Sequence, residues 1–182
     1  MSEPRIAVLG LGNLMRTDDA AGMLAVAALR AQKRLPAGVE VIEGGTLGLD
    51  LLHPLEGVTH LLAIDAVDAG VAPGTMLHFS NHEIANLPIS KSVHLLGFAD
   101  LLGAMRLTGG EPEHVVVLGV QPEVITWGTE LTDKVAAAIP RLLGAAVEQV
   151  AGWLREIAIR KIRSHYAQQE KETRARFPLV TK

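Results

Sequence analysis

Apolar residues fall in two rhythms along this chain. Short, nearly unbroken apolar runs recur at RIAVLG (5–10), VEVIEGG (39–45), HLLAIDAV (60–67) and EHVVVLGVQP (113–122). Closed by glycine, proline or a polar turn, such runs predict strands, the first of them buried. PGTMLHFS (73–80) follows a Pro-Gly turn and predicts an edge strand. Between the strands the rhythm changes to helical spacing. DAAGMLAVAALRAQKRL (19–35) is rich in helix formers and is closed by Pro36 and Gly38. LGLDLLHPL (47–55) predicts a short helix stopped near Pro54, and SVHLLGFADLLGAMRL (92–107) a longer one with Ser92 as N-cap. The last helix, predicted over 132–157, sets Val135, Ile139, Leu142, Ala146, Val150 and Trp153 on one face. Pro140 is expected to kink or split it.

The resulting order, β-α-β-α-β-β-α-β-α, predicts an α/β fold. It is a single-domain, mostly parallel twisted sheet with helices on both faces, a three-layer α/β/α arrangement. The domain spans residues 1–155. Residues 156–182 form a charged extension that finishes the last helix and then frays.

Composition narrows the function classes. The chain has 182 residues and no cysteine, which excludes disulfides, thiolate metal sites and a cysteine nucleophile. No secretory leader and no membrane-spanning run are expected, and the chain is placed in the cytoplasm. Charge is unevenly spread. Residues 155–182 carry eight Lys/Arg against three Glu, a net +5, while the nine basic and seventeen acidic residues before them give −8. An acidic body argues against nucleic acid as a partner.

The candidate chemistry lies in GLGNLMRTDDAAG (10–22), a glycine-rich turn between the first strand and first helix. A dinucleotide site would use these glycines, with Glu43 at the end of strand two as the ribose acid. Met15 stands where the third glycine belongs, and Asp18 and Asp19 sit where a helix N-terminus would otherwise attract phosphate. Thr17 or Asp18 can cap the helix, which accounts for one carboxylate of the pair. In doubly wound sheets ligands bind beyond the carboxyl ends of the strands, where the winding reverses. With strand order 2-1-3 that crevice receives Asp19 after strand one and Asp65 from the end of strand three. His94, in the first turn of the next helix, can face the same edge. Two carboxylates and an imidazole suit a divalent metal with open positions. His53, His60, His78, His82, His114 and His165 share no spacing and are read as structural.

These segments together, VLGLGNLMRTDDAAG, VIEGGTLGLDLL, LLAIDAVDAGVAPGTM, SVHLLGFADLL and VVVLGVQP, resemble the hydrogenase maturation endopeptidases, in order and over roughly residues 5–155. The resemblance implies a protease that removes a short C-terminal peptide from the nickel-loaded large-subunit precursor of a nickel-iron hydrogenase. It implies that nickel arrives bound to the precursor as the recognition element. It places the family's metal-contacting and catalytic positions on Asp19, Asp65 and His94. The family's substrate-recognition loop falls on Gly44, Gly45 and Thr46. Whether cleavage uses a metal-polarised carbonyl or general base action by Asp19 or Asp65 stays open at this level. A monomer is expected. The competing readings are a nickel-binding accessory protein without protease activity and a dinucleotide-binding oxidoreductase.

Overall fold

The computed structural model describes residues 3–84 and 93–176, without the side chains of 82, 93–96, 170, 171 and 173–176. Five strands build one sheet: β1 (Ile6–Leu11), β2 (Val39–Gly45), β3 (His60–Ala66), β4 (Met76–Ser80) and β5 (His114–Val120). Their order is β2-β1-β3-β5-β4. All neighbours are parallel except the β4–β5 pair, which is antiparallel. The predicted edge strand is therefore at the edge. The helices are α1 (Ala21–Ala31), α2 (Asn81–Ile84), α3 (Val93–Leu107) and α4 (Asp133–Arg176), with 3-10 turns at Thr17–Ala20 and Gly48–Leu52. Ser92, read as the cap of α3, lies outside the described residues.

Alternation along each strand sorts the core into two layers. Ala7, Leu9, Leu11, Leu61, Ala63, Val115 and Val117 face one side and pack with Leu51, Phe98, Leu101 and Met105. Ile6, Val8, Leu62, Ile64, Val116 and Leu118 face the other, against Val26 and Leu29 of α1 and Leu142, Ala146, Val150 and Trp153 of α4. This is the expected three-layer α/β/α arrangement.

The last helix departs from expectation in two ways. It is neither split at Pro140 nor finished at 157, but runs 44 residues as one helix. Pro140 and Ala136 both face solvent, so the Ala136 carbonyl that loses its helical partner can turn to water. Beyond 157 the side chains are exposed through 169, yet the sequence there is free of glycine and proline and rich in helix formers. The sequence reading also expects no membrane-spanning run. By length and composition one stretch of α4 is apolar enough to cross a membrane. Its apolar positions, Leu142, Leu143, Ala146, Val150 and Trp153, are those packed on the sheet.

Candidate functional site

The chain leaves β1 toward β2 on one side, while β3 lies on the other. The switch point therefore falls beyond the carboxyl ends of β1 and β3, as the strand order predicts. What holds the 17–20 turn there is a set of close glycine contacts. A Cβ on Gly22 would stand 2.1 Å from the Ile64 carbonyl and 2.4 Å from that of Leu11, so the start of α1 rests directly on the two strand ends. Gly10 gives way to Val26 in the same manner. Gly12, at φ 120°, lets the turn pass beneath the Asp19 carbonyl, which a Cβ would meet at 1.9 Å. The glycines of this turn serve the chain's own helix, and a pyrophosphate would have to displace it. Glu43, the ribose-binding candidate of the dinucleotide reading, is paired with Arg30.

Asp19 is 4% exposed, and its Oδ2 accepts the Asn13 amide at 3.1 Å. Asp65 is fully buried near the end of β3, where its Oδ1 accepts the Ala66 amide at 2.9 Å. Strand alternation puts Asp65 on the face of Leu61 and Ala63, the face that carries α3. His94 is the second residue of α3, and its side chain lies outside the described residues. Among the described residues no three His, Asp or Glu side chains gather into a metal-holding group. Gly44 is buried at the end of β2 beside Leu9, and Gly45 accepts the Gly12 amide through its carbonyl at 3.0 Å. Thr46 follows on the same edge.

Asp18 corrects the capping expectation. Neither it nor Thr17 makes a side-chain cap bond at the start of the turn or of α1. Fully buried, Asp18 instead accepts four hydrogen bonds from the segment after β5. Its Oδ2 receives the Glu123 and Val124 amides at 2.8 and 3.0 Å and the Thr132 hydroxyl at 3.0 Å; its Oδ1 receives the Thr132 amide at 2.7 Å. Thr17 adds to the clamp, with its hydroxyl donating to the Val124 carbonyl at 2.8 Å and accepting the Thr126 amide at 3.1 Å. It holds a φ of 38°, a strained value for a β-branched residue. The aspartate pair thus divides its work: Asp18 fastens the 123–132 loop, and Asp19 is left at the crevice.

Sequence reasoning misses Gln121, buried just after β5. Its Oε1 accepts the Ala69 and Val71 amides at 2.8 and 3.3 Å, and its Nε2 donates to Asp68 at 2.9 Å, which pins the loop that follows Asp65. Only the position of QP after a buried strand could have signalled it. It also misses a pair at the opposite edge. His60 and His114 open β3 and β5 in register and stack with ring centroids 4.5 Å apart, and His60 meets Trp153 edge-on. Burial, then His114 beside it, holds the His60 imidazole below its ordinary pKa. The signal is in the sequence: His60 is the first and His114 the second residue of a predicted strand.

Known proteins share this fold and much of this sequence. Residues 23–149 match a family model described as hydrogenase maturation protease. The chain is 41% identical over 160 residues to the hydrogenase 2 maturation protease of Escherichia coli, covering 87% of this chain and 95% of that one. Its fold superposes on the E. coli hydrogenase maturating endopeptidase HybD with a TM-score of 0.72 at 40% identity, covering 84% and 93% of the two chains. For the [NiFe] hydrogenase maturation protease HybD of Thermococcus kodakarensis the TM-score is 0.69 at 28% identity, covering 80% and 99%.

Proposed function

The chain belongs to the hydrogenase maturation protease family, and we propose that it removes a short C-terminal peptide from the nickel-loaded large-subunit precursor of a nickel-iron hydrogenase, with Asp19, Asp65 and His94 forming the site that meets the nickel. The observation that carries this reading is the placement of two buried aspartates, Asp19 and Asp65, on the turn and strand that meet at the switch point. A set of two carboxylates and one imidazole, without a thiolate, is a modest home for nickel alone. It suits a site that adds ligands to an ion the substrate brings. Nickel is then part of the substrate and marks the bond to be cut. A carboxylate at this edge can take the proton of an attacking water as the peptide bond opens. The Gly44–Thr46 turn borders the same edge and is the surface along which the precursor is read. The cysteine-free chain suits the reducing cytoplasm, acting there as a monomer.

The test is to incubate the protein with nickel-loaded precursor and follow the precursor's mass. Loss of a C-terminal peptide is expected with nickel and none without it. Asp19→Asn, Asp65→Asn and His94→Ala are each expected to lower kcat/KM at least a hundredfold, while the variants keep a cooperative thermal transition. Full processing by Asp65→Asn overturns the site. Nickel binding with no shortening of the precursor supports the carrier reading in its place.

A further inference from the structure

One cavity at this edge is unlike the others. Three larger ones, beside Arg106, beside Arg160 and beside Arg5, have charged side chains in their linings. This one, about 260 Å³, is walled by Leu11, Leu51, Gly97, Phe98 and Leu101, with the Gly45–Thr46 turn at its rim. Its walls come from β1, the Gly48–Leu52 turn and α3, which pack together on one face of the sheet. It adjoins the aspartates through the chain itself. Leu11 precedes Gly12, whose amide bonds the Gly45 carbonyl, and Asn13, whose amide bonds Asp19. An apolar cavity of about 150 Å³ stays dry and takes up benzene, so one of this size can enclose a branched or thioether side chain. Leu47 and Leu49, just beyond the rim, are half exposed and continue the apolar surface outward.

Resting on the protease reading above, we infer that this cavity is a specificity pocket that receives one apolar side chain of the precursor's C-terminal segment and so sets the register of the scissile bond against Asp19 and Asp65. A charged side chain would lose its water on entering and find no counter-charge among these walls. An apolar one gains contacts that the walls otherwise lack. Gly97 matters here because it lines the cavity and a Cβ built on it meets nothing within 4 Å, so a side chain placed there has room to grow into the open space beside α3.

Two arms test the inference. In the first, wild-type protein processes nickel-loaded precursors in which each apolar residue near the cleavage point is changed in turn to Asp. One position is expected to cost at least tenfold in kcat/KM, and restoring any bulky apolar residue there should recover the rate. In the second, Gly97→Leu fills the pocket. It is expected to slow the native precursor at least tenfold and to recover, relative to wild type, on a precursor carrying alanine at the sensitive position. Its melting temperature should be unchanged or higher, because leucine is the better helix former. If Gly97→Leu does not fold, the first arm decides alone. Wild-type processing indifferent to every Asp replacement overturns the pocket and leaves the protease reading intact. Absence of any cleavage by the wild-type protein overturns both.

Discussion

Two adjacent aspartates, identical in charge and one residue apart, have different duties because their partners differ. Asp18 accepts four hydrogen bonds, three on one oxygen and one on the other. Asparagine can keep the three or the one, and its amide must face the N–H donors it cannot satisfy. Asp18→Asn is therefore expected to destabilise the fold by about 2–3 kcal/mol, measured by urea denaturation. A loss below about 0.5 kcal/mol would show that water replaces the lost bond and that the clamp is weak. His60 makes a second residue-scale prediction. Burial and His114 hold its folded pKa below the ordinary 6.5, against the opposing pull of Glu113 and Glu156; Arg160 adds to the lowering. Below 6.5 the unfolded chain then binds the proton more readily than the folded one. The stability tied to His60 is present above that pH and is lost as pH falls toward the folded pKa. The melting temperature should drop between pH 7 and pH 5, and His60→Phe, which keeps a ring in the stack but cannot titrate, should flatten that slope. Identical slopes in both proteins would assign the drop to other groups. The positions of Asp19 and Asp65 in the fold were legible because Asp19 opens a readable helical stretch and Asp65 stands near the end of a readable strand. The duty of Asp18 was not, because its partners lie more than a hundred residues away in the chain.

At the scale of elements, strands were easier to read than helices, for a physical reason. A strand buried on both faces needs apolar residues at nearly every position, so β1, β3 and β5 agree with their predicted bounds within a residue or two. The edge strand β2, only partly buried, coincides with its predicted bounds, 39–45, where a pair of glycines closes it. A helix needs only one apolar stripe, and where the stripe ends the helix need not. Hence α4 outruns its apolar period by almost twenty residues, carried by helix propensity with side-chain pairs such as Gln168–Glu172. Pro140 was expected to interrupt this helix because a proline ring removes a hydrogen bond and crowds the preceding turn. The rule did not apply with full force because the affected face is wet. The bond is still missing, so Pro140→Ala is expected to raise stability by about 1–3 kcal/mol, seen as a higher melting temperature. No rise would mean that solvent already compensates the Ala136 carbonyl in full. The 3-10 turn at 17–20 was read as the beginning of α1. Its tightening follows from tertiary contacts to the 123–132 loop, which no local pattern announces.

The whole molecule joins a sheet sandwiched between helices to a single helix that leaves the sandwich. The body is acidic and the departing segment basic, an asymmetry already visible in the order of charges along the sequence. At 1.5 Å per residue the 44 residues of α4 span about 66 Å. A compact domain of this chain length has a radius of gyration of only about 16 Å. The molecule should therefore diffuse like something larger than its 19.4 kDa. On a gel-filtration column it should elute ahead of globular standards of equal mass, near where a dimer would run, even if each particle holds one chain. Light scattering on the eluting peak separates the two cases, since it weighs the particle without reference to its shape. Removing residues 164–182 should move the peak later by more than the lost mass accounts for and leave the melting transition cooperative. An unmoved peak would mean that the early elution comes from paired chains, and the protruding helix would then have to be accounted for within a dimer.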